Sequence, residues 1–323
     1  MEEIESTTKQ EALEILAGKD KLCFEGGGVL GYAYAGAMVR LRELGGLAQP
    51  ITDAVGSSVG SITAIALAAG ATPEYIKEKI LGMDLKRFED GGNIVCRFFR
   101  LIFRYGSHKG DEVERFIGEI LHDLLGNADI TFRELYEQTG TILSVPYVST
   151  RYKTTKYATP LTEPNLQVKK AARWSSTIPL YFQAGRRFSK KHQLEDLLVD
   201  GGVTDNYPIH VLRDYDPKKV LGFKLISVGE DAGGPVQEVD HGIPKNVVQY
   251  VYRLVEILRE QALRYHVASE DWKITCKIDV GHFKTTDFNL SAEDKRWLYD
   301  SGVAAVDKHV AEIEEMLREG TYV

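Results

Sequence analysis

Apolar positions near the start of the chain alternate between short runs typical of strands and longer stretches with helical spacing. Residues 22–24 form a short apolar run that ends at closely spaced glycines, and residues 32–44 carry apolar side chains at a helical period. The same order then repeats: residues 51–55 predict a second strand, a glycine-flanked turn follows, and the alanine-rich residues 61–69 predict a helix. The chain therefore begins with two successive strand–turn–helix units.

The rest of the chain continues this alternation. β-Branched and apolar runs predict buried strands, and amphipathic stretches, two of them with capping residues at their start, predict helices. The predicted strands are residues 141–148, 197–199 and 220–228. One predicted helix begins at residue 72, and the others cover residues 111–125, 131–138, 246–267 and 291–317. Strands that alternate with helices indicate a three-layer α/β/α sandwich around a central, mostly parallel sheet, with ligand sites at the carboxyl ends of the strands.

Composition and charge narrow the class of protein. The chain has 323 residues, 43% of them hydrophobic, and we expect one domain over residues 21–310, with an N-terminal segment, 1–20, and the end of a C-terminal helix, 311–323. A net charge of −7 argues against a nucleic-acid partner. Three widely spaced cysteines fit a reducing compartment, and the pattern contains neither a signal peptide nor a transmembrane segment, which predicts a cytoplasmic protein.

The turn between the second predicted strand and its helix has the pattern G-x-S-x-G, with Ser58 at its centre. On such a turn the flanking glycines leave the serine hydroxyl exposed at a helix N-terminus, as a nucleophile requires. The serine also needs a base to accept its proton. His210 follows an aspartate in the chain order of α/β-hydrolases, and Asp200 ends a predicted strand just before two glycines, where it is either a base or a turn residue.

The first glycine turn, F-E-G-G-G-V-L-G, matches G-x-G-x-x-G through Gly26, Gly28 and Gly31. After a strand, this pattern binds the pyrophosphate of a dinucleotide, and an acidic residue normally ends the second strand. Here the second strand leads instead into the serine turn. The alternative is that backbone N–H groups of Gly27 and Gly28 form an oxyanion hole that faces Ser58. The local pattern leaves both interpretations open.

Taken together, these motifs resemble the patatin-like phospholipase family. The resemblance rests on the order of the glycine loop, the G-x-S-x-G turn about thirty residues later and a distant D-G-G. It extends to A-A-R-W-S-S-T-I-P-L-Y-F at residues 171–182, D-G-G-V-T-D-N-Y-P at residues 200–208 and D-F-N-L at residues 287–290. Nearly the whole chain, from residue 22 to residue 309, is similar to the family.

The resemblance implies a lipid acylhydrolase of the phospholipase A or lysophospholipase type that works through an acyl-enzyme, without a metal or other cofactor. Ser58 would be the nucleophile and Asp200 the general base, with an oxyanion hole formed by Gly26, Gly27 and Gly28. The supporting glycines of these motifs are Gly31, Gly56, Gly60, Gly201 and Gly202.

One position departs from the family pattern. Leu30 stands where many members carry an arginine or lysine that would help to hold an anionic intermediate or a lipid phosphate, so the head-group preference stays open. Two alternatives to the hydrolase remain: a nucleotide-binding module that uses the glycine loop, and a member that acts through protein contacts. An enzyme that is activated by a partner lies between them.

Residues 94–105, I-V-C-R-F-F-R-L-I-F-R-Y, combine arginines at helical spacing with a broad apolar face. Such a helix is either an interfacial lid, which inserts aromatic side chains into a membrane while its arginines meet phosphates, or a core helix with solvated arginines. The candidate membrane contacts are Arg97, Phe98, Phe99, Arg100, Phe103 and Arg104. A second basic cluster, Arg186, Arg187, Lys190 and Lys191, is either a solvated loop, which is the interpretation we favour, or a second phosphate contact. We expect peripheral contact with a membrane surface, a phospholipid or lysophospholipid substrate, and a lid that an activating protein or small molecule could open.

Overall fold

A computed structural model describes residues 2–189, 193–227, 243–244 and 247–322 of the protein. The helices are α1 Glu2–Ala17, α2 Tyr32–Glu43, α3 Val59–Ala68, α4 Pro73–Leu81, α5 Ile94–Arg104, α6 Asp111–Leu125, α7 Phe132–Thr139, α8 Val168–Ser175, α9 Val247–His266 and α10 Ala292–Glu319. The strands are β1 Lys21–Phe24, β2 Asp53–Gly56, β3 Gly106–His108, β4 Ile142–Ser149, β5 Thr154–Ala158, β6 Leu180–Phe182, β7 Gly185–Ser189, β8 Leu194–Asp200, β9 Val220–Ser227 and β10 Thr275–Gly281.

A mixed sheet forms the centre of the fold, in the order β10–β9–β1–β2–β4–β8–β7, with β5 also paired to β4. In this order, the strands β10, β9, β1, β2 and β4 are parallel to one another. The central strands β1 and β2 are short and, after the charged Lys21 and Asp53 that begin them, apolar, as expected where helices cover both faces of a sheet. The predicted α/β fold with a central, mostly parallel sheet is confirmed. The sheet ends in antiparallel pairs that β4 makes with β5 and β8 and that β8 makes with β7.

Most predicted elements are present within a residue or two of the predicted bounds. Helix α7 begins with the expected capping box, in which the Thr131 hydroxyl accepts from the Glu134 N–H and the Glu134 carboxylate accepts from the Thr131 N–H. The predicted strands 141–148 and 220–228 correspond to β4 and β9, and the predicted helix 246–267 corresponds to α9. Residues 228 and 246, at the ends of two of these predictions, lie outside the described residues.

Strand β5 was not predicted, and two further segments differ from the expected structure. The N-terminal segment forms helix α1, which the pattern did not predict, and its Ala12 and Leu16 are fully buried in the main core. The prediction of a loop at the second basic cluster is wrong for residues 186–189, which belong to strand β7 because they pair antiparallel with β8. The Arg187 guanidinium also lies 2.6 Å from the Glu163 carboxylate, in the segment between β5 and α8. Residues 190 and 191 lie outside the described part of the chain.

Candidate active site

Ser58 lies on the tight turn between β2 and α3, as the G-x-S-x-G pattern predicted. Its backbone has φ 50° and ψ −124°, a conformation that non-glycine residues rarely adopt and that is associated with functional strain. The turn fits closely under the glycine loop, because a Cβ atom on Gly60 would lie 2.5 Å from the carbonyl oxygens of Phe24 and Glu25. The chain therefore holds Ser58 in a strained position that its neighbours fix.

Asp200 ends strand β8 and is completely buried. Its Oδ1 atom accepts a hydrogen bond of 2.7 Å from the Gly202 N–H, so the carboxylate caps the following turn as well as facing the site. Burial raises the pKa of Asp200 above its ordinary value, and Arg259, the Gly202 N–H and Ser58 each act in the opposite direction. An aspartate in such surroundings holds a proton more readily than one in water.

The sheet register brings Ser58 and Asp200 together. Val55 of β2 pairs with Ser144 of β4, and Asp200 pairs with Tyr147 three positions further along the same strand, so both site residues flank the middle of β4. The Ser58 side chain interacts with the Asp200 carboxylate and lowers its pKa. Among the described residues, Asp200 Oδ2 has no hydrogen bond of standard geometry, so the carboxylate keeps an acceptor available.

The glycine loop lies directly against Ser58, since a Cβ atom on Gly26 would be 3.1 Å from the Ser58 Cβ. The Gly26 N–H donates to the Asn206 carbonyl oxygen at 2.9 Å, which corrects the expectation that it is a free oxyanion donor. In the described part of the chain no such partner occupies the amides of Gly27 and Gly28. These two N–H groups are the candidate donors to an oxyanion.

Close backbone approaches explain the other glycines of the motifs. Gly28 has φ 55°, and a Cβ atom there would overlap the Thr285 carbonyl oxygen, which also accepts from the Val29 N–H at 3.1 Å. The same kind of backbone overlap would occur at Gly56 with Gly60 and at Gly201 with Pro146. At Gly31 and Gly202 the overlap would be with the side chains of Val59 and Asn206. Leu30 is only 3% exposed and belongs to the main core, so this chain uses the position for packing and has no cation there.

The segment from α8 to β6 holds both Ser58 and Asp200 in place. The Ser58 N–H donates to the Ser175 hydroxyl at 3.0 Å, and the Asp200 N–H donates to the Thr177 carbonyl oxygen at 2.9 Å. The buried Arg173 donates to the Thr177 hydroxyl at 2.6 Å and thereby fixes this connection. The sequence pattern of residues 171–182 does not indicate that this segment positions Ser58 and Asp200.

A buried ion pair between Glu25 and Lys224 stabilises the glycine loop. The Glu25 carboxylate lies 3.2 Å from the Lys224 ammonium and accepts hydrogen bonds from the Leu225 N–H and from the Asn206 side-chain amide. The same amide donates to the Gly26 carbonyl oxygen at 2.9 Å, so charge, amide and loop form one network. Glu25 was visible in the sequence only as a residue beside the glycines.

Arg259 of α9 also reaches the site and was not predicted. Its Nη2 atom lies 3.6 Å from Asp200 Oδ1, and its side chain is 15% exposed. In the sequence Arg259 is one of several charged residues within a long amphipathic helix, 59 positions after the aspartate that it faces. Only the tertiary fold brings the two together, so no local signal could have identified it.

The alternative base and the alternative ligand lack supporting geometry. His210 Nε2 lies 3.8 Å from Asp205 Oδ2, and its ring stacks on His266, which gives this histidine partners away from Ser58. Asp53, the acidic residue closest to the place where a dinucleotide site needs one, is engaged by Lys21 at 2.6 Å. Among the described residues, no three His, Cys, Asp or Glu side chains form a group that could hold a metal ion.

Helix α5 is formed as predicted, and it leaves its apolar face open. None of its residues is buried, and its exposed apolar side chains are Ile94, Val95, Phe98, Phe99, Ile102 and Phe103. Arg97 and Arg104 face solvent, but Arg100 turns inward and donates to the carbonyl oxygens of Gly91 and Ser107, which corrects its expected place on the outer cationic stripe. None of the helices in the described ranges has the length and apolar content that a bilayer-crossing segment needs.

Comparison with known proteins identifies the family of the chain. The family model described as patatin-like phospholipase matches residues 22–213, more than half of the chain. The chain is 25% identical to the uncharacterized protein R571 of Acanthamoeba polyphaga mimivirus over 90% of its own length and 94% of that protein. It is 26% identical to triacylglycerol lipase 4 of Saccharomyces cerevisiae, over 61% of this chain and 23% of that one.

The solved structure of VipD from Legionella pneumophila has the same fold. It superposes with a TM-score of 0.63 over 91% of this chain and 67% of VipD, at 17% sequence identity. The matched family model covers the glycine loop, the Ser58 turn and Asp200, the three parts that the fold brings together. The chain therefore belongs to the patatin-like phospholipase family, a family of lipid hydrolases.

Proposed function

We propose that the protein is a serine acylhydrolase that cleaves acyl esters of phospholipids or lysophospholipids with a dyad of Ser58 and Asp200. The observation that carries the proposal is the contact between a serine on a strained turn and a buried aspartate, next to a glycine loop with two amides available. A hydroxyl, a base and backbone donors are the groups that acyl transfer needs.

In the first half of the reaction the Ser58 oxygen attacks the ester carbonyl while the Asp200 carboxylate accepts the serine proton. The carbonyl oxygen becomes an anion, and the N–H groups of Gly27 and Gly28 donate to it. The tetrahedral intermediate then collapses: the ester C–O bond breaks, and Asp200 returns the proton to the leaving alcohol. Ser58 keeps the acyl group as an ester.

In the second half a water molecule attacks the acyl-enzyme, and Asp200 accepts one of its protons. The new tetrahedral intermediate releases the fatty acid as the proton returns to the Ser58 oxygen. The raised pKa of Asp200 suits this double role, because a base that must both take and return a proton works best when its pKa is not far from the operating pH.

Serine substitutions test the dyad directly. We expect Ser58→Ala to lower fatty-acid release from phospholipid vesicles at least about a thousandfold and to abolish labelling by a fluorophosphonate probe. Ser57→Ala is the matched control, because Ser57 is the adjacent residue, is fully buried and has an unpaired hydroxyl within the described residues, so its loss should leave labelling and hydrolysis intact. Fatty-acid release that persists in Ser58→Ala would overturn the proposal.

The same preparations distinguish the nucleotide-binding alternative. A dinucleotide that binds the glycine loop would raise the melting temperature of the wild-type protein, because a ligand specific for the folded state stabilises it. We expect no such rise, since the Gly26 amide already donates to Asn206 and Asp53 is paired with Lys21.

We further propose that α5 is the surface that meets the lipid. Its exposed aromatic side chains, Phe98, Phe99 and Phe103, lie on a helix with no buried residue, and Arg97 and Arg104 provide positive charge beside them. Apolar insertion combined with cationic contacts to phosphates is how interfacial helices bind anionic bilayers. Helix α5 leads into β3, which pairs with β6 just beyond the Thr177 contact to Asp200, so the surface is connected to the site.

A further inference from the structure

Helix α9 brings a positive charge to the dyad from a distant part of the chain. Arg259 Nη2 lies 3.6 Å from Asp200 Oδ1, and α9 packs against the short 3-10 helix Gly201–Val203 that follows the aspartate. The approach is close enough that a Cβ atom on Gly202 would sit 3.2 Å from the same Nη2 atom. The glycine therefore also makes room for the arginine.

The buried position of Asp200 creates a need for such a charge. A carboxylate without solvent strongly favours its protonated form, and a protonated aspartate cannot accept the Ser58 proton. Three groups act on Asp200 from the elements packed around it: Arg259 from α9, the N–H of Gly202, and the Ser58 side chain. Of these three, only Arg259 carries a full charge.

Among the described residues around the glycine loop, no other cation supplies the positive charge that Arg259 brings to Asp200. Leu30 is buried and apolar, at the position where the resemblance would place a basic residue. Lys224, the buried cation beside the loop, is 3.2 Å from the Glu25 carboxylate, so the two charges largely cancel. The positive charge that acts on the dyad thus comes from α9, 59 positions after Asp200 in the sequence.

We propose that Arg259 is a positioning residue of the dyad, which keeps Asp200 in its carboxylate form and oriented toward Ser58. The proposal rests on the proposed function, because it assigns Asp200 the role of base. It makes the docking of α9 a condition for activity: an enzyme whose α9 is displaced loses the charge that keeps its base ionised.

Titration of Asp200 by NMR tests the proposal without requiring catalysis. With ¹³C-labelled aspartate, the Asp200 carboxyl signal is assigned by its absence in Asp200→Asn and followed against pH. We expect an upward shift of the titration midpoint in Arg259→Gln and in Arg259→Met, which keeps the aliphatic stem, and a midpoint close to that of the wild type in Arg259→Lys. The matched control is Arg253→Gln, on the same helix, where the arginine pairs with Glu256.

The pH profile for a soluble short-chain ester gives the second readout. The acid limb of kcat/KM reports ionisation of the free enzyme's base, so it should move to higher pH in the neutral variants and return toward the wild type in Arg259→Lys. An unchanged Asp200 midpoint in both neutral variants would overturn the inference, as would an equal shift in Arg259→Lys. Neither result would contradict the proposed function, which is contradicted only if Ser58→Ala stays active.

Discussion

The strain at Ser58 has a measurable consequence for stability. Its φ of 50° and ψ of −124° are accessible to glycine but unfavourable for any residue with a Cβ atom, by about 1–3 kcal/mol. We predict that Ser58→Gly is more stable than Ser58→Ala by about 1 kcal/mol, because relief of strain exceeds the backbone entropy that glycine adds in the unfolded chain, roughly 0.5–1 kcal/mol. Both variants lack the hydroxyl and differ only in the Cβ atom, so urea denaturation measures the effect of that atom on stability.

The neighbouring serine provides the control for this prediction. Ser57 does not have a positive φ, and it is buried on the same turn. At this position glycine should be the less stable substitution, because it adds unfolded-state entropy without relieving strain. If Ser58→Gly were no more stable than Ser58→Ala, the turn would not be strained in solution.

At the residue scale, the sequence predicted the proposed reacting residues better than the residues that hold them in place. Ser58 and Asp200 stand beside glycines at strand ends, a local pattern with a chemical meaning. The supporting contacts join positions that are far apart in the chain, and they are made by Ser175, Thr177 and Arg259. These residue types are common in helices and turns, so the local sequence does not mark them as part of the site. The free or occupied state of an amide, as at Gly26, likewise depends on a partner that only the fold supplies.

Helices α2 and α10 cross at a point where neither has room for a side chain. A Cβ atom on Gly302 would overlap the Ala33 carbonyl oxygen, and one on Gly36 would overlap the Tyr299 carbonyl oxygen. We predict that Gly302→Ala lowers the free energy of unfolding by about 1–3 kcal/mol or more, because the obstacle is backbone and cannot rotate away. Chemical denaturation followed by circular dichroism measures the change.

Gly118 of α6 is the matched control for the helix crossing. It is also a buried helical glycine, but a Cβ atom there would be 3.5 Å from its nearest neighbour, an ordinary contact. Gly118→Ala should therefore be neutral or stabilising by up to about 1 kcal/mol, the difference in helix propensity. Equal stability changes in the two variants would mean that α2 and α10 do not cross this closely.

The elements that escaped prediction share a cause. Helix α1 has only a few apolar positions. Its Ala12 and Leu16 stabilise the helix only when the rest of the core is present to cover them. Strands β5 and β7 lie at one end of the sheet, where β5 pairs antiparallel with β4 and β7 pairs antiparallel with β8. Both have exposed and polar positions, and they lack the continuous apolar runs that identified β4 and β9. Local pattern was sufficient for buried parallel strands and insufficient for the sheet edge.

At the scale of the whole molecule, the proposed contact with a lipid surface must be reconciled with the net charge of −7 that the chain carries. Its overall charge repels an anionic membrane, so productive contact requires a particular face to lead. Helix α5 combines the cations Arg97 and Arg104 with several exposed apolar side chains. We therefore expect a preferred orientation on the bilayer, with α5 toward the lipid.

Removing the aromatic side chains of α5 tests this orientation. We predict that the triple change of Phe98, Phe99 and Phe103 to serine weakens sedimentation with anionic vesicles by at least about tenfold, since each buried aromatic contributes on the order of 1.5–3 kcal/mol. Hydrolysis of a soluble short-chain ester should be unchanged, because these side chains are 59%, 55% and 65% exposed and support no core. High salt should weaken binding further by screening Arg97 and Arg104.

The control removes three exposed aromatic side chains from elsewhere, Tyr136, Tyr152 and Phe188, which are 44%, 52% and 56% exposed. If exposed aromatic area alone bound the vesicles, both triple variants would lose binding to a similar degree. A loss confined to the α5 variant, with ester hydrolysis intact, would locate the membrane contact on this helix. Equal loss of vesicle binding and ester hydrolysis in the α5 variant would instead identify α5 as a helix that the folded site needs, and the membrane proposal would fall.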